Sequence, residues 1–473
     1  MRTSATAAFA VLIPMLLSAA GAVFASASDL DPTLAADGDL DTSFSVDGLA
    51  TVDFAIGSTH EERASAAAVG PDGRLVIVGR ARFSASDTDF AIARLNPNGT
   101  LDTTFSGDGL QTVAFDLGTP SNTQILDEAK SVAIDRSGRI VVCGTAKDAT
   151  TFRVAVARLT TTGALDATFS GDGKVDLPAD PDNLSVPTSI CHVFVDSNGA
   201  IVLTTGAAVV KMNGSGDLFT TFGTSGYSKA STACGSGWDS CGFRQSVEHP
   251  DGYYFTAGWG FNGTTLSDEP ILFCHWAGLG GLNGSFAAGG RLVTLPPGLG
   301  AGRVERVRLD SLGRLVLFVS TSSGGGFGDF VTRVDVVAEA IDPTFGLVGT
   351  PGWLDLDFLN PTETTWIDLA LAPDDKILVT GMEVLATSSI TVARFFRDGN
   401  GGDNGFSIDA LAETEFVPGG TATVAAVIVT DGRPTVIGKV FNQSDDDFAV
   451  ARFRSNSLLQ DGFEIGSTWR WTH

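Results

Sequence analysis

Positive charge is what this chain lacks. Its 473 residues hold 30 Lys and Arg against 55 Asp and Glu, a formal net charge of −25. So acidic a surface repels phosphate backbones and anionic headgroups, which excludes nucleic-acid and membrane-surface binding as the expected role. Charged residues of either sign are few, at 18%. Histidine and cysteine number five each. Cys191-His192 and Cys274-His275 lie inside apolar strand-like runs, where adjacent side chains point to opposite faces and cannot share one metal. His60-Glu61 has Ala64 where a zinc-protease helix needs its second histidine. No Gly-x-Ser-x-Gly elbow follows a strand, and the glycine-rich stretch 324–328 precedes a strand where a phosphate-binding turn needs a helix.

Long hydrophobic runs are confined to the N-terminus. Arg2 precedes an uncharged stretch from Thr3 to Ser28 with an apolar run at Ala7–Leu17, and Ala25-Ser26-Ala27 gives the small-x-small pattern of a cleavage site. Residues 1–27 therefore read as a signal peptide, making the mature chain periplasmic, cell-surface or secreted, with no membrane insertion. Residues 28–39 read as a short leader that could supply a ring-closing strand. Five cysteines cannot all pair within one chain. Cys234 and Cys241 form a local disulfide candidate, while Cys143, Cys191 and Cys274 sit in apolar runs and read as buried free thiols.

What the chain has is repetition, with 57 glycines marking its turns. A phrase recurs as Leu40-Asp-Thr-Ser-Phe-Ser-Val-Asp-Gly48, Leu101-Asp-Thr-Thr-Phe-Ser-Gly-Asp-Gly109 and Leu165-Asp-Ala-Thr-Phe-Ser-Gly-Asp-Gly173. Weaker copies start at Leu218, Leu282 and Ile341, and an eroded one lies near Asn400–Phe406. Hairpin turns repeat independently at Pro71-Asp72-Gly73, Ser137-Gly138, Asn198-Gly199, Pro250-Asp251-Gly252, Leu312-Gly313, Asp374-Asp375 and Asp431-Gly432, where Pro presets φ and Gly or Asn accept positive φ. A third phrase is a strand ending in a base, as in Asp89–Arg94, Val154–Arg158, Val209–Lys211, Phe330–Arg333, Thr391–Arg394 and Asp447–Arg452.

Each unit yields about four strands. The middle ones, such as Leu75–Val78 and Ile140–Cys143, are unbroken apolar runs that need cover on both faces. A closed ring of stacked sheets provides it and leaves no open end. The expected fold is all-β, a seven-bladed β-propeller of four-stranded antiparallel blades over residues 40–456, with a tail at 457–473. These phrases resemble the delta-60 repeat proteins of bacteria, over residues 40 to about 455. The resemblance implies a propeller-like fold in exported proteins and no settled activity. The tail's Asp461-Gly-Phe-Glu-Ile-Gly is similar to short endings on exported bacterial proteins and reads as a sorting element or as a flap docked on the last blade.

A feature present in most blades answers a need common to blades. The recurring Asp41, Asp102, Asp166 and Asp342 and the recurring Arg94, Arg158, Arg333, Arg394 and Arg452 are therefore read as framework, closing turns and pairing. Calcium is the one cofactor considered, because Asp37, Asp39 and Asp41, and Asp398, Asn400 and Asp403, place oxygens at alternate positions, although both loops lack the closing Glu of a helix-loop-helix site. The fourth unit departs most from the pattern. Its Tyr227, Trp238, Tyr253, Tyr254 and Trp259 could form a platform for a glycan or protein partner, or simply fill a drifted blade.

Two functions follow. One is an exported non-catalytic propeller for binding, adhesion or scaffolding, its ligand unknown. The other is an extracellular enzyme, a glycan lyase or hydrolase or a lactonase, with its site at the central channel. The enzyme needs inward polar groups on several innermost strands, and those strands read as apolar or small, which favours the binding module. Three or more convergent Asp, Glu or His at the channel would favour the enzyme.

Overall fold

The computed structural model describes residues 37–455 apart from 57–60, 85, 116, 118–124, 148–151, 178–189, 295–300, 322–327, 348, 357–363, 384–388, 408–409, 417–419 and 442–444. The proposed signal peptide and tail thus lie outside the described residues. Seven antiparallel four-stranded sheets make a seven-bladed β-propeller, with short extra strands at Ile125–Leu126 and Ala340–Ile341 and one helical turn at Ala230–Ala233. In blade one the strands run outward from the axis as Glu62–Val69, Leu75–Ser84, Asp87–Leu95 and Leu110–Val113. The innermost strands of blades two to seven are Glu128–Ile134, Cys191–Val195, Ser240–His249, Gly302–Leu309, Thr364–Leu371 and Thr421–Thr430.

The middle strands show why the ring must close. Val76, Ile77 and Val78 are almost wholly buried, yet they feed two different cores. Val76 and Val78 pack against Val132, Ile140 and Val142 of blade two. Ile77 packs the other way, with Ile437, Phe448 and Val450 of blade seven. Strand alternation sends successive side chains to opposite seams, and seven apolar clusters fill the seven seams. Each fully buried aliphatic side chain contributes about 1.5–3 kcal/mol, so an open edge would forfeit a whole seam.

The repeated Asp and Arg form one device. Arg94 Nε donates to Asp102 Oδ2 at 2.7 Å, its guanidinium lies 4.7 Å from the Phe105 ring centre, and Nη1 donates to the Thr161 carbonyl of blade two at 2.5 Å. The other oxygen of Asp102 accepts the Thr104 amide and hydroxyl, closing the turn. Arg158, Arg333 and Arg452 repeat this with Asp166, Asp342 and Asp41, each donating to a carbonyl of the next blade. Gly109 ends the phrase at φ +95°, where a Cβ would meet Leu101 at 3.0 Å, which explains why six of the seven copies close on glycine.

Blade seven consists of Thr421–Thr430, Arg433–Phe441 and Asp446–Arg452, and its fourth strand comes from the front of the chain. Leu49–Val52 pairs with it in the register Leu49↔Ala451 to Val52↔Phe448. Blades are therefore offset from sequence units, since each unit's opening strand belongs to the blade before it. Of the leader at 28–39, only its last three residues are described, and the pairing that completes the last sheet lies further on, at Leu49–Val52.

The cysteine reading needs a correction. Cys143 and Cys191 are bonded to each other, with Cα atoms 6.0 Å apart. They stand on neighbouring blades whose apolar faces meet, so burial brought the thiols together instead of keeping them apart. Cys234 and Cys241 are also bonded, and Cys274 is buried and free.

Candidate functional site

The innermost strands surround an axial channel with a cavity of about 480 Å³. Six of the seven strands carry a register shift at the same level, at Ala64/Ala66, Ala129/Ser131, Phe243/Gln245, Val304/Arg306, Trp366/Asp368 and Val424/Ala426. A bulge places two residues opposite one and breaks strict alternation, so consecutive side chains can reach the same side. Arg244 with Gln245, and Glu305 with Arg306, both line the cavity in this way.

The expectation of apolar or small innermost strands is corrected here. Five cations (Arg63, Lys130, Arg244, Arg306 and Arg308) face three carboxylates (Glu128, Glu305 and Asp368) across the channel, a surplus of two positive charges. In a chain of net charge −25, this is a basic shaft through an acidic body. The carboxylates are each held by a base. Asp368 meets Arg306 at 2.7 Å and Arg308 at 3.4 Å, Glu128 meets Lys130 at 2.7 Å, and Glu305 meets Arg244 at 3.3 Å. The second Asp368 oxygen accepts the Val427 amide at 3.0 Å.

Gln245 joins three blades. Its Oε1 accepts Val307 N at 3.0 Å and Arg308 Nη1 at 2.6 Å, so its amide nitrogen must donate to His192 Nε2, 2.9 Å away. The His192 proton then sits on Nδ1, which is buried with no hydrogen-bond partner. Burial, with Arg308 and Arg306 beside it, pushes His192 down to about 3, so the ring is neutral at physiological pH. Burial also lowers Lys130, offset by Glu128 and reinforced by the charges of Arg63 and Arg80. Arg308 is lowered by burial as well, against the pull of Asp368. Cations crowded together with too few counter-charges favour an incoming anion.

The aromatic candidates do not meet in one place. Tyr227 is buried in the outer strand of blade three and packs into the seam between blades two and three. Tyr254 is fully buried, donating to Asp196 Oδ2 at 2.6 Å and accepting from Lys211 Nζ at 2.7 Å. Burial first, and the Asp196 contact second, raise its phenol pKa. Trp238 donates to Glu269 at 2.9 Å, and Trp259 lies under Arg303, 4.8 Å from the guanidinium carbon. Tyr253 stacks on Trp276 at the other end of the strand, six residues from Trp259, about 20 Å away.

The two proposed calcium loops come together around a guanidinium. Arg394 reaches Asp403 at 2.7 Å and Asp37 at 2.9 Å. Asp41 belongs to Arg452, and Asp398 accepts the Asn400 amide. Asp39 lends its backbone carbonyl to Arg454 N. Sequence reasoning missed the channel set altogether. Its signal was present as Glu128-Ala-Lys130, Arg244-Gln245 and Glu305-Arg306-Val-Arg308, just before three of the hairpin turns.

A family described as a β-propeller domain of unknown function (DUF5122) matches residues 70–105 and 136–169, in blades one and two, and supports a β-propeller repeat family. No curated protein matches. Among solved structures, Drosophila Semaphorin 2a is similar at 9% identity and a TM-score of 0.44, over 89% of this chain and 76% of that one. Trypanosoma rangeli sialidase in complex with sialic acid is similar at 12% identity and a TM-score of 0.35, over 85% of this chain and 57% of that one. The extracellular domain of a hybrid two-component system from B. thetaiotaomicron is similar at 10% identity and a TM-score of 0.38, over 83% and 40%. This chain thus spans little more than half of the sialidase's length. Among the described residues no helix is long and apolar enough to cross a membrane.

Proposed function

We propose that the chain is an exported, non-catalytic binding propeller of the delta-60 type whose axial channel receives an acidic ligand, such as a carboxylate-bearing saccharide. One observation carries this reading: five Lys and Arg converge on a channel that holds three carboxylates, in a protein of net charge −25. Charge-assisted hydrogen bonds to an anion contribute about 1.5–3 kcal/mol each. The acidic exterior repels the same anion, so the ligand is drawn to the axis and nowhere else. The small-x-small site after the apolar N-terminal run supports export.

The test is calorimetric titration with hexuronate oligosaccharides and with neutral oligosaccharides of equal length. Selective binding of the acidic series is expected, with about tenfold weaker affinity in Arg63→Gln and in Arg306→Gln. Equal binding of neutral sugars, or unchanged affinity in both variants, would overturn the reading.

The enzyme remains the second reading because Glu128, Glu305, Asp368 and His192 do converge on the channel, which is the number set for it. Against it, every one of those carboxylates is paired with a cation, and His192, lowered to about 3, is a poor base and supplies no imidazolium acid near neutral pH. Turnover of a bound ligand that stops in Asp368→Asn would put the enzyme first.

A further inference from the structure

Where the front of the chain meets its end, three carboxylates from three different segments converge. One oxygen each from Asp53, Glu62 and Asp447 lies within 4.8 Å of the others. Asp53 immediately follows the closing strand Leu49–Val52, and Asp447 stands on the strand paired with it. Glu62 opens the innermost strand of blade one. Asp53 is exposed and Asp447 buried, so the cluster runs from solvent into the seam.

Glu62 is the independent sign of a ligand. It is 0% exposed, and neither carboxylate oxygen has a hydrogen-bond partner among the described residues. An uncompensated buried carboxylate costs several kcal/mol, and buried charges in folded proteins are paired or coordinate metals. Burial, aided by the charges of Asp53 and Asp447, pushes Glu62 up to about 8 when only protein groups surround it.

The next seam supplies an internal control. By strand register, Asp127 there takes the place of Glu62, Asp89 that of Asp447 and Ala114 that of Asp53. Asp127 Oδ2 is satisfied by the Phe115 amide at 2.7 Å, and among the described residues the place of the third carboxylate is held by Ala114. Packing between blades therefore does not require the trio, which sets the closing seam apart from framework features.

We propose that Asp53, Glu62 and Asp447 bind a hard divalent cation, calcium, which locks the closing strand against blade one. The donor set is all oxygen, without His or Cys, which selects calcium over zinc or copper. Backbone carbonyls and water complete a calcium shell readily because its geometry is flexible. The cation would join the two ends of the propeller chain, where the ring has no covalent continuity.

The test uses the full mature chain. Terbium luminescence and calcium titration should report one site per chain, and the melting temperature should rise by about 3 °C between chelator and saturating calcium. Sodium chloride of matched ionic strength should not reproduce the rise. Glu62→Gln keeps the shape, removes the charge and should abolish both the luminescence and the calcium-dependent rise. Asp53→Asn, at an exposed position and keeping the oxygen that accepts the Ala55 amide, should weaken terbium binding by about tenfold or more. No calcium response in the wild-type chain, or an undiminished response in both variants, would overturn the proposal.

Discussion

Five blades couple to the next through an arginine and one through Lys211, whereas blade four does without. Cys274 occupies the arginine's place, pairing with Phe255 as Arg94 pairs with Val76, and its amide donates to the Gly290 carbonyl as that of Arg94 does to Gly109. Asn283 occupies the aspartate's place and still accepts the Ser285 amide and hydroxyl at 3.2 and 2.7 Å. Blade four thus keeps the turn and drops the cation. Elsewhere the head loop donates an amide to a carbonyl of the following blade, as Ser106 does to Thr162. In blade four Ala287 N finds the Glu339 side chain instead, at 2.8 Å. The difference separates two tasks that the repeat had fused. Aspartate closes the turn within a blade, while arginine ties that blade to the next.

The sharpest way to break this comparison is to remove one staple. Arg158 is 1% exposed, so Arg158→Ala strands Asp166 in the seam and should cost about 3–5 kcal/mol in urea unfolding. If it costs no more than Cys274→Ala, the arginine is not a coupling device.

Acid should part blade four from the others next, at His275, the residue after Cys274, which faces blade three. Burial, with Arg291 nearby, pushes His275 down to about 4, so the folded chain resists a proton that the unfolded chain accepts near pH 6.5. Stability contributed by the neutral ring is therefore lost as pH falls from about 6.5 towards 4, at up to about 1.4 kcal/mol per unit. His275→Asn should flatten that limb. Burial alone would raise Asp102, Asp166 and Asp342, but hydrogen bonds from Thr104, Thr168 and Thr344, with their arginines, hold all three below the usual range. Their contribution is complete above about pH 4 and leaves only below it. A single transition shared by wild type and His275→Asn would erase the distinction.

The smallest effect comes from restoring the repeat. Cys274→Arg with Asn283→Asp should add about 1 kcal/mol, read as a higher urea midpoint, if the staple is transferable. A loss would mean that Phe286 and Val304, which cluster with Cys274, have shaped the seam to a small side chain.

The propeller, its seven hairpins and the framework role of the repeated Asp and Arg were legible because each answers a local need stated many times over. The channel was not. Blade one shows Arg63-Ala-Ser-Ala-Ala there, and generalising from it hid Lys130, Arg244 and Arg306. The bulges are the physical reason, since a reading by period two assigns Glu305 and Arg306 to opposite faces. The aromatics of unit four misled for a related cause. Composition gathered them into one unit, but register spread Tyr253 and Trp259 to opposite ends of a strand and buried Tyr254. Cys143 and Cys191 failed similarly, because pairing between blades is invisible until the blades are placed.

The strand Leu49–Val52 has one more consequence. It leaves the ribosome early, yet its partner Asp446–Arg452 is made only after nearly four hundred further residues. Until then Leu49–Val52 has no partner strand and blade one has an uncovered apolar face, both open to any passing β-strand, including that of a sibling chain. Completion is a long-range event that arrives last, so an unfinished chain has no stable place to stop.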